Sequence, residues 1–147
     1  MYEILLFLHI LAATIWTGGH IVLSTVVLPR VLRERSPEQL LRFESGYEKI
    51  GIPALIVQVG TGIAMADQML GDSGRWFDFG SRVSTLVSIK VILLVVTAVF
   101  AVDARLRIIP NLNEKNMMAL AWHVVPVTIV SILFVAVGVS FRTGWFS

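Results

Sequence analysis

The stretch ILLFLHILAATIWTGGHIVLSTVVLP, residues 4–29, decides the fold of this chain. It contains no charged residue, and it is long enough for an α-helix to cross about 30 Å of hydrocarbon, which takes roughly 20 residues. It lacks the basic start and the small-residue cleavage site of a removable signal sequence. We therefore predict a transmembrane helix that remains in the mature protein.

Three further apolar runs follow along the chain. They cover residues 50–66, continuing to residue 70, then residues 83–102 and residues 116–141. With 56% hydrophobic and 15% charged residues among 147, and a mean hydropathy of +0.80, little of the chain is left for a soluble domain. We predict a single domain over residues 1–147, an all-α integral membrane four-helix bundle that contacts the lipid bilayer.

The charged residues are concentrated between the apolar runs. Residues 30–49 alternate basic and acidic side chains and contain Ser36-Pro37-Glu38, a pattern typical of a helix start, so we expect an amphipathic helical connector. This connector and the link at residues 103–115 carry eight Lys and Arg, against three on the opposite side. The positive-inside rule then places both termini outside the cytoplasm of a bacterial inner membrane.

Two histidines of the first run share one helical face. His9 and His20 are eleven residues apart, which places them within about 20° of each other around a helix and about 16 Å apart along it. Trp16 follows His9 by seven residues and falls on the same stripe. We interpret this stripe as a candidate wall for a cofactor.

His123, in the fourth run, lies at a depth similar to that of His20. At about 1.5 Å per residue, His20 is roughly 14 Å from the residue-29 end of its helix and His123 roughly 10 Å from the residue-116 end. We predict that these two side chains coordinate the same metal centre, a haem iron. The alternative is that transmembrane histidines only hydrogen-bond across helices.

Three other side chains within the apolar runs carry candidate chemistry. Lys90 lies too deep in the third run for easy snorkelling, which favours a buried anionic partner such as a haem propionate. Met65 and Met69 lie near the depth of His9, and a His–Met pair ligates haem or Cu(I). Methionines also serve simply as packing residues, and that interpretation stays open.

Two segments resemble a known family. FLHILAATIWTGGHIVLSTVVLPRVL carries His9, Trp16 and Gly18-Gly19, and SRVSTLVSIKVILLVVTAVFAVDARLRIIP carries Lys90. Together they resemble the membrane domain of copper-resistance protein D over nearly the whole chain, and more distantly the small four-helix protoporphyrinogen oxidases. The first resemblance implies copper transport, and the second implies haem b and quinone-linked oxidation. Neither family pattern includes His20 or His123.

These observations favour a b-type cytochrome-like redox protein with one or two non-covalently bound haems. We expect electron transfer between a quinone and an extracytoplasmic carrier, with no catalytic residue identifiable in the sequence. The alternatives are a copper permease using His9 and the methionines, and a structural membrane subunit without a cofactor. The sequence contains no cysteine, phosphate loop or nucleophile–base motif, and its basic residues form no patch typical of nucleic-acid binding. Gly18-Gly19 and Gly60-Thr61-Gly62 favour a homo-oligomer.

Overall fold

Four long helices account for most of the molecule. The computed structural model describes residues 1–146, and no β-strand occurs within that range. All four helices are long and apolar enough to cross a membrane; they are α1 (Tyr2–Glu34), α2 (Pro37–Leu70), α3 (Arg82–Asn111) and α4 (Met117–Thr143). The predicted all-α four-helix bundle is confirmed, and the chain is a multi-pass membrane protein.

Each helix packs mainly on one or two neighbours. α1 lies along α2, α3 lies along α4, and α1 also contacts α4, whereas α2 and α3 touch only briefly. We call the side of the bundle where α1 joins α2 and α3 joins α4 the connector side, and the opposite side the terminal side. Large apolar side chains such as Phe7, Ile56 and Val99 point away from the bundle and are more than 60% exposed. In a bilayer these side chains contact lipid tails.

The helices extend beyond the apolar runs on the connector side. α2 is continuous through the charged residues from Pro37 onwards, and α1 ends at Glu34, followed by Arg35 in a left-handed conformation with φ 50°. The predicted connector is therefore helical, and it is divided between the end of α1 and the beginning of α2. Pro37 begins α2 because proline is well suited to the first helical turn, where its missing N–H is not needed.

Two π-helical turns occur within residues 1–146, and each ends two residues before a proline. In α1 the turn Leu23–Val27 comes before Pro29, and in α3 the turn Ala104–Ile108 comes before Pro110. A proline ring in a regular α-helix collides with the carbonyl four residues earlier. The wider turn removes this conflict, and backbone bonding continues as the Leu28 N–H donates to the Leu23 carbonyl.

The loop between α2 and α3 closes the terminal side. Trp76 is half-buried there and packs on a cluster formed by Ala66, Leu70 and Val87. Phe77 and Phe79 are 54% and 58% exposed, a position in which aromatic rings reach the membrane interface. The loop is thus anchored to the ends of α2 and α3.

Candidate functional site

His9 faces α2 and makes one hydrogen bond there. Its Nδ1 lies 3.0 Å from Thr61 Oγ1, and the Thr61 hydroxyl donates its own hydrogen to the Val57 carbonyl at 2.6 Å. Because that hydrogen is committed to the backbone, the His9 Nδ1–H must donate to Thr61 Oγ1. The Nε2 of His9 therefore retains its lone pair, and Nε2 is the atom that a metal would bind.

Lys90 lies within the bundle on the same side. Its Nζ is 5.5 Å from the centre of the Phe141 ring, and a Cβ built on Gly138 would lie 3.5 Å from it, so the side chain lies against α4. No carboxylate of residues 1–146 is within 4.0 Å of Lys90. Lys90 therefore lies on the α4 side of the bundle and His9 on the α2 side, both towards the terminal side.

Gln58 is the third polar group at this level. Its side chain is 7% exposed, and its Oε1 has no hydrogen-bond partner within the described chain. A buried amide oxygen without a partner costs free energy, about 1–3 kcal/mol. We call the group formed by His9, Gln58, Thr61 and Lys90 the terminal-side site. It combines a free imidazole nitrogen, a free acceptor and an unpaired cation.

The two methionines predicted near His9 differ in their surroundings. Met65 follows Thr61 by one helical turn and is half-buried, so it continues the face of α2 that carries the terminal-side site. Met69 is 41% exposed. Met65 is thus the better placed of the two sulfur donors.

His20 is buried in an aromatic cluster on the connector side. Its Nδ1 is 2.9 Å from the Trp16 carbonyl, to which the Tyr47 hydroxyl also donates at 2.9 Å. The indole of Trp16 lies 4.4 Å from the imidazole, and the Tyr47 ring meets it edge-on at 5.6 Å. Since a carbonyl only accepts, Nδ1 carries the hydrogen and the His20 Nε2 keeps its lone pair.

Only one residue of the Gly18-Gly19 pair is required by this cluster. A Cβ on Gly19 would collide with the ring of Tyr47, whereas a Cβ on Gly18 would meet nothing within 4 Å. Gly51 of α2 lies against the other edge of the same ring, where a Cβ would approach to 3.0 Å. The two glycines allow a tyrosine to pack between α1 and α2.

His123 is engaged at both ring nitrogens. Its Nδ1 lies 2.8 Å from the Ala119 carbonyl, and its Nε2 lies 2.7 Å from Asp103 Oδ2. Asp103 also accepts a hydrogen bond from Arg107, and Phe100 meets the imidazole edge-on. Both ring nitrogens of His123 thus face an oxygen acceptor, so neither is open to a metal in this arrangement.

The structure brings some predicted residues together and separates others. His9 and His20 both face α2, as their shared stripe predicted, while His123 turns towards α3. His9 and Lys90 both lie towards the terminal side without a direct contact between them, and Trp16 contacts His20. Within residues 1–146, no group of three or more His, Asp or Glu side chains is arranged to hold a metal ion.

Sequence reasoning missed Thr61, Tyr47 and Asp103 as partners of the three histidines. Tyr47 could have been found, because buried and half-buried residues of α2 recur every three or four positions along one face, namely at Leu40, Glu44, Tyr47, Gly51, Ala54, Gln58 and Thr61. This spacing predicts that Tyr47 packs on α1 although it lies among charged residues.

Comparison with known proteins adds no assignment to this geometry. No family model matches the chain, and no curated protein or solved structure matches it either. The resemblance to copper-resistance protein D therefore stays a prediction, and function has to be argued from the residues themselves.

Proposed function

We propose that this chain is a membrane redox protein of the b-type cytochrome kind that binds haem non-covalently at the terminal-side site. The observation that carries this proposal is Lys90, a cation inside a membrane bundle with no carboxylate within 4.0 Å. An ammonium group left unpaired in a low-dielectric interior is costly, so an anionic ligand is the partner that this position favours. A haem propionate supplies that charge.

The neighbouring residues fit the same ligand. His9 offers a free Nε2 held in place by Thr61, and a neutral imidazole adds no charge to the hydrocarbon region. The unpartnered Gln58 Oε1 is an acceptor for a ligand group that carries a hydrogen. Haem bound here would supply one-electron chemistry, which we place between a membrane quinone and an extracytoplasmic carrier.

A second haem between His20 and His123 stays a prediction. The free Nε2 of His20 supports it. His123 would have to leave Asp103 before its Nε2 could bind iron, because that nitrogen is 2.7 Å from the carboxylate. Variants of these two histidines test this pairing separately from the first site.

The direct test is the absorption spectrum of the purified protein reconstituted with haem. We expect a Soret band whose terminal-side component is lost in His9→Ala and at least tenfold weaker in Lys90→Met, while Lys49→Met, at an exposed lysine on α2, retains it. Circular dichroism verifies that each variant is folded. A wild-type protein without a Soret band, or a band unaffected by both His9→Ala and Lys90→Met, would disprove the terminal-side assignment.

A separate prediction concerns His20 and His123 as ligands of one iron. His20→Ala and His123→Ala should remove the same low-spin component of the spectrum, and His9→Ala should affect a different one. If each single variant lost a different component, or both kept the full spectrum, the pairing of His20 with His123 would be wrong.

Copper binding is the second candidate, and Met65 favours it. Met65 is a half-buried thioether one helical turn from Thr61, the residue that His9 contacts, and a thioether with an imidazole is a soft donor pair suited to Cu(I). Bound copper without a Soret band, lost in both His9→Ala and Met65→Leu, would support the copper permease alternative.

We also propose that both termini lie outside the cytoplasm of a bacterial inner membrane. The support is the excess of Lys and Arg in the two connectors, eight against three. Reporter fusions after Ser147, which lies outside the described residues, test this topology. A fusion active only in the cytoplasm would reverse it.

A further inference from the structure

A cleft opens on the connector side where α1 ends and α2 begins. It has a volume of about 580 Å³. One wall is apolar and consists of Val27, Val31 and Phe43, which pack on the core of the connector side. The other wall is polar and includes Arg30 and Arg42. We call this space the connector cleft.

The cleft lies at the boundary between hydrocarbon and water. Arg30 is the first charged residue after the uncharged run of α1, so Val27 lies at the end of the part of α1 suited to hydrocarbon and Arg30 at the level of the headgroups. A ligand that fits both walls has a charged head and an apolar body. An inorganic ion would leave the apolar wall uncovered.

The polar wall has more donors than acceptors. Neither Arg30 nor Arg42 has a carboxylate within 4.0 Å among residues 1–146. Glu34 accepts a hydrogen bond from Gln39 at 2.8 Å, and Glu38 is the one acidic residue lining the cleft. The two arginines therefore leave an excess positive charge in the cleft.

We propose that the connector cleft binds the phosphate group of an anionic phospholipid, with Arg30 and Arg42 on the phosphate and an acyl chain along Val27 and Phe43. Guanidinium groups suit this role because their planar fork donates two parallel hydrogen bonds to phosphate oxygens. Basic clefts between membrane helices at the headgroup level bind acidic lipids by the same chemistry. Such a lipid would fix the turn between α1 and α2 to one membrane leaflet.

The test uses the full chain, delipidated in detergent and incubated with equal amounts of phosphatidylglycerol and phosphatidylcholine of identical acyl chains. Native mass spectrometry counts the retained lipid. We expect the protein to retain phosphatidylglycerol, and the double variant Arg30→Gln/Arg42→Gln to retain at least tenfold less. The matched control Arg33→Gln/Arg35→Gln removes the same charge from residues that do not line the cleft, and it should bind like the wild type.

A charge-conserving variant and a competition with inorganic phosphate distinguish the proposal from its alternatives. Arg30→Lys/Arg42→Lys preserves charge but removes the fork, so retention should fall severalfold while the fold is kept. Excess inorganic phosphate should displace little lipid, because it cannot use the apolar wall. Equal loss in the cleft and control variants would reveal diffuse surface attraction and overturn the proposal. Complete displacement by inorganic phosphate would overturn the lipid assignment.

Discussion

Lys90 and His123 each place a basic nitrogen inside the bundle, Lys90 towards the terminal side and His123 towards the connector side. The two groups differ in whether the protein supplies their partners. His123 hydrogen-bonds a carboxylate on α3 and a carbonyl on its own helix. Lys90 lies against Phe141 and Gly138 and has no carboxylate nearby. The connector-side group is satisfied by its own chain, while the terminal-side group is left for something that the chain does not provide.

This contrast distinguishes polar groups that stabilise the fold from polar groups that are available to bind a ligand. Removing a satisfied group should lower stability, because its partners are then left buried without a hydrogen bond. Removing an unpaired ammonium should raise the stability of the protein without ligand and lower its affinity for ligand. Four substitutions test this contrast and the packing around it.

The largest expected effect is at Gly19, on which the aromatic cluster of the connector side depends. Gly19→Ala forces a methyl group into the Tyr47 ring and should lower the free energy of unfolding by about 3 kcal/mol. Gly18→Ala gains the same helix propensity and meets no atom within 4 Å, so it should be neutral or slightly stabilising. Thermal unfolding in detergent measures both, and equal effects would show that Tyr47 does not pack there.

The next effect is at Lys90. Lys90→Met should raise the free energy of unfolding of the protein without ligand by about 1–3 kcal/mol, because a methionine fills the space without an unpaired charge. Lys49→Met, at an exposed position, is the control and should change it little. A loss of stability in Lys90→Met would mean that the ammonium has a partner within the protein, and the contrast with His123 would collapse.

A smaller effect of the opposite sign is expected at Asp103. Asp103→Asn leaves His123 Nε2 facing a weaker acceptor and also removes the contact with Arg107, so the melting temperature should fall. The ¹⁵N resonance of His123 Nε2 should shift, because this nitrogen loses its carboxylate partner. Asp67→Asn, at an exposed position on α2, should alter neither measurement.

The smallest effect is expected at Gly62. A Cβ there would lie 3.2 Å from His9 Cε1, so the imidazole must move by a few tenths of an ångström. Gly60→Ala meets nothing within 4 Å, and the difference in unfolding free energy between the two variants should be less than about 1 kcal/mol. If Gly62→Ala and Gly60→Ala have the same free energy of unfolding, His9 does not lie against α2.

The four spans and the shared face of His9 and His20 could be predicted from the sequence, because uncharged runs and helical spacing depend only on residue order. The partner of His123 could not. Asp103 was assigned to a polar link, since charge marks where hydrocarbon ends, yet the helix continues to Asn111 and keeps Asp103 beside α4. Thr61 was missed for a different reason, because the relative rotation of two packed helices is not encoded in either one alone.

The π-helical turns have a consequence for how the chain tolerates changes in length. The buried positions Ala12, Trp16, His20 and Leu23 of α1 follow one another by three or four residues, whereas the step from Leu23 to Leu28 across the wide turn is five. The turn holds one residue more than a straight helix would need, so deleting one residue there would keep the buried face in register but would bring the Pro29 ring against the carbonyl four residues earlier. A deletion nearer the terminal side would instead rotate His9 by about 100° away from Thr61. The two halves of α1 therefore resist shortening for different reasons, the proline ring on the connector side and the His9–Thr61 contact on the terminal side.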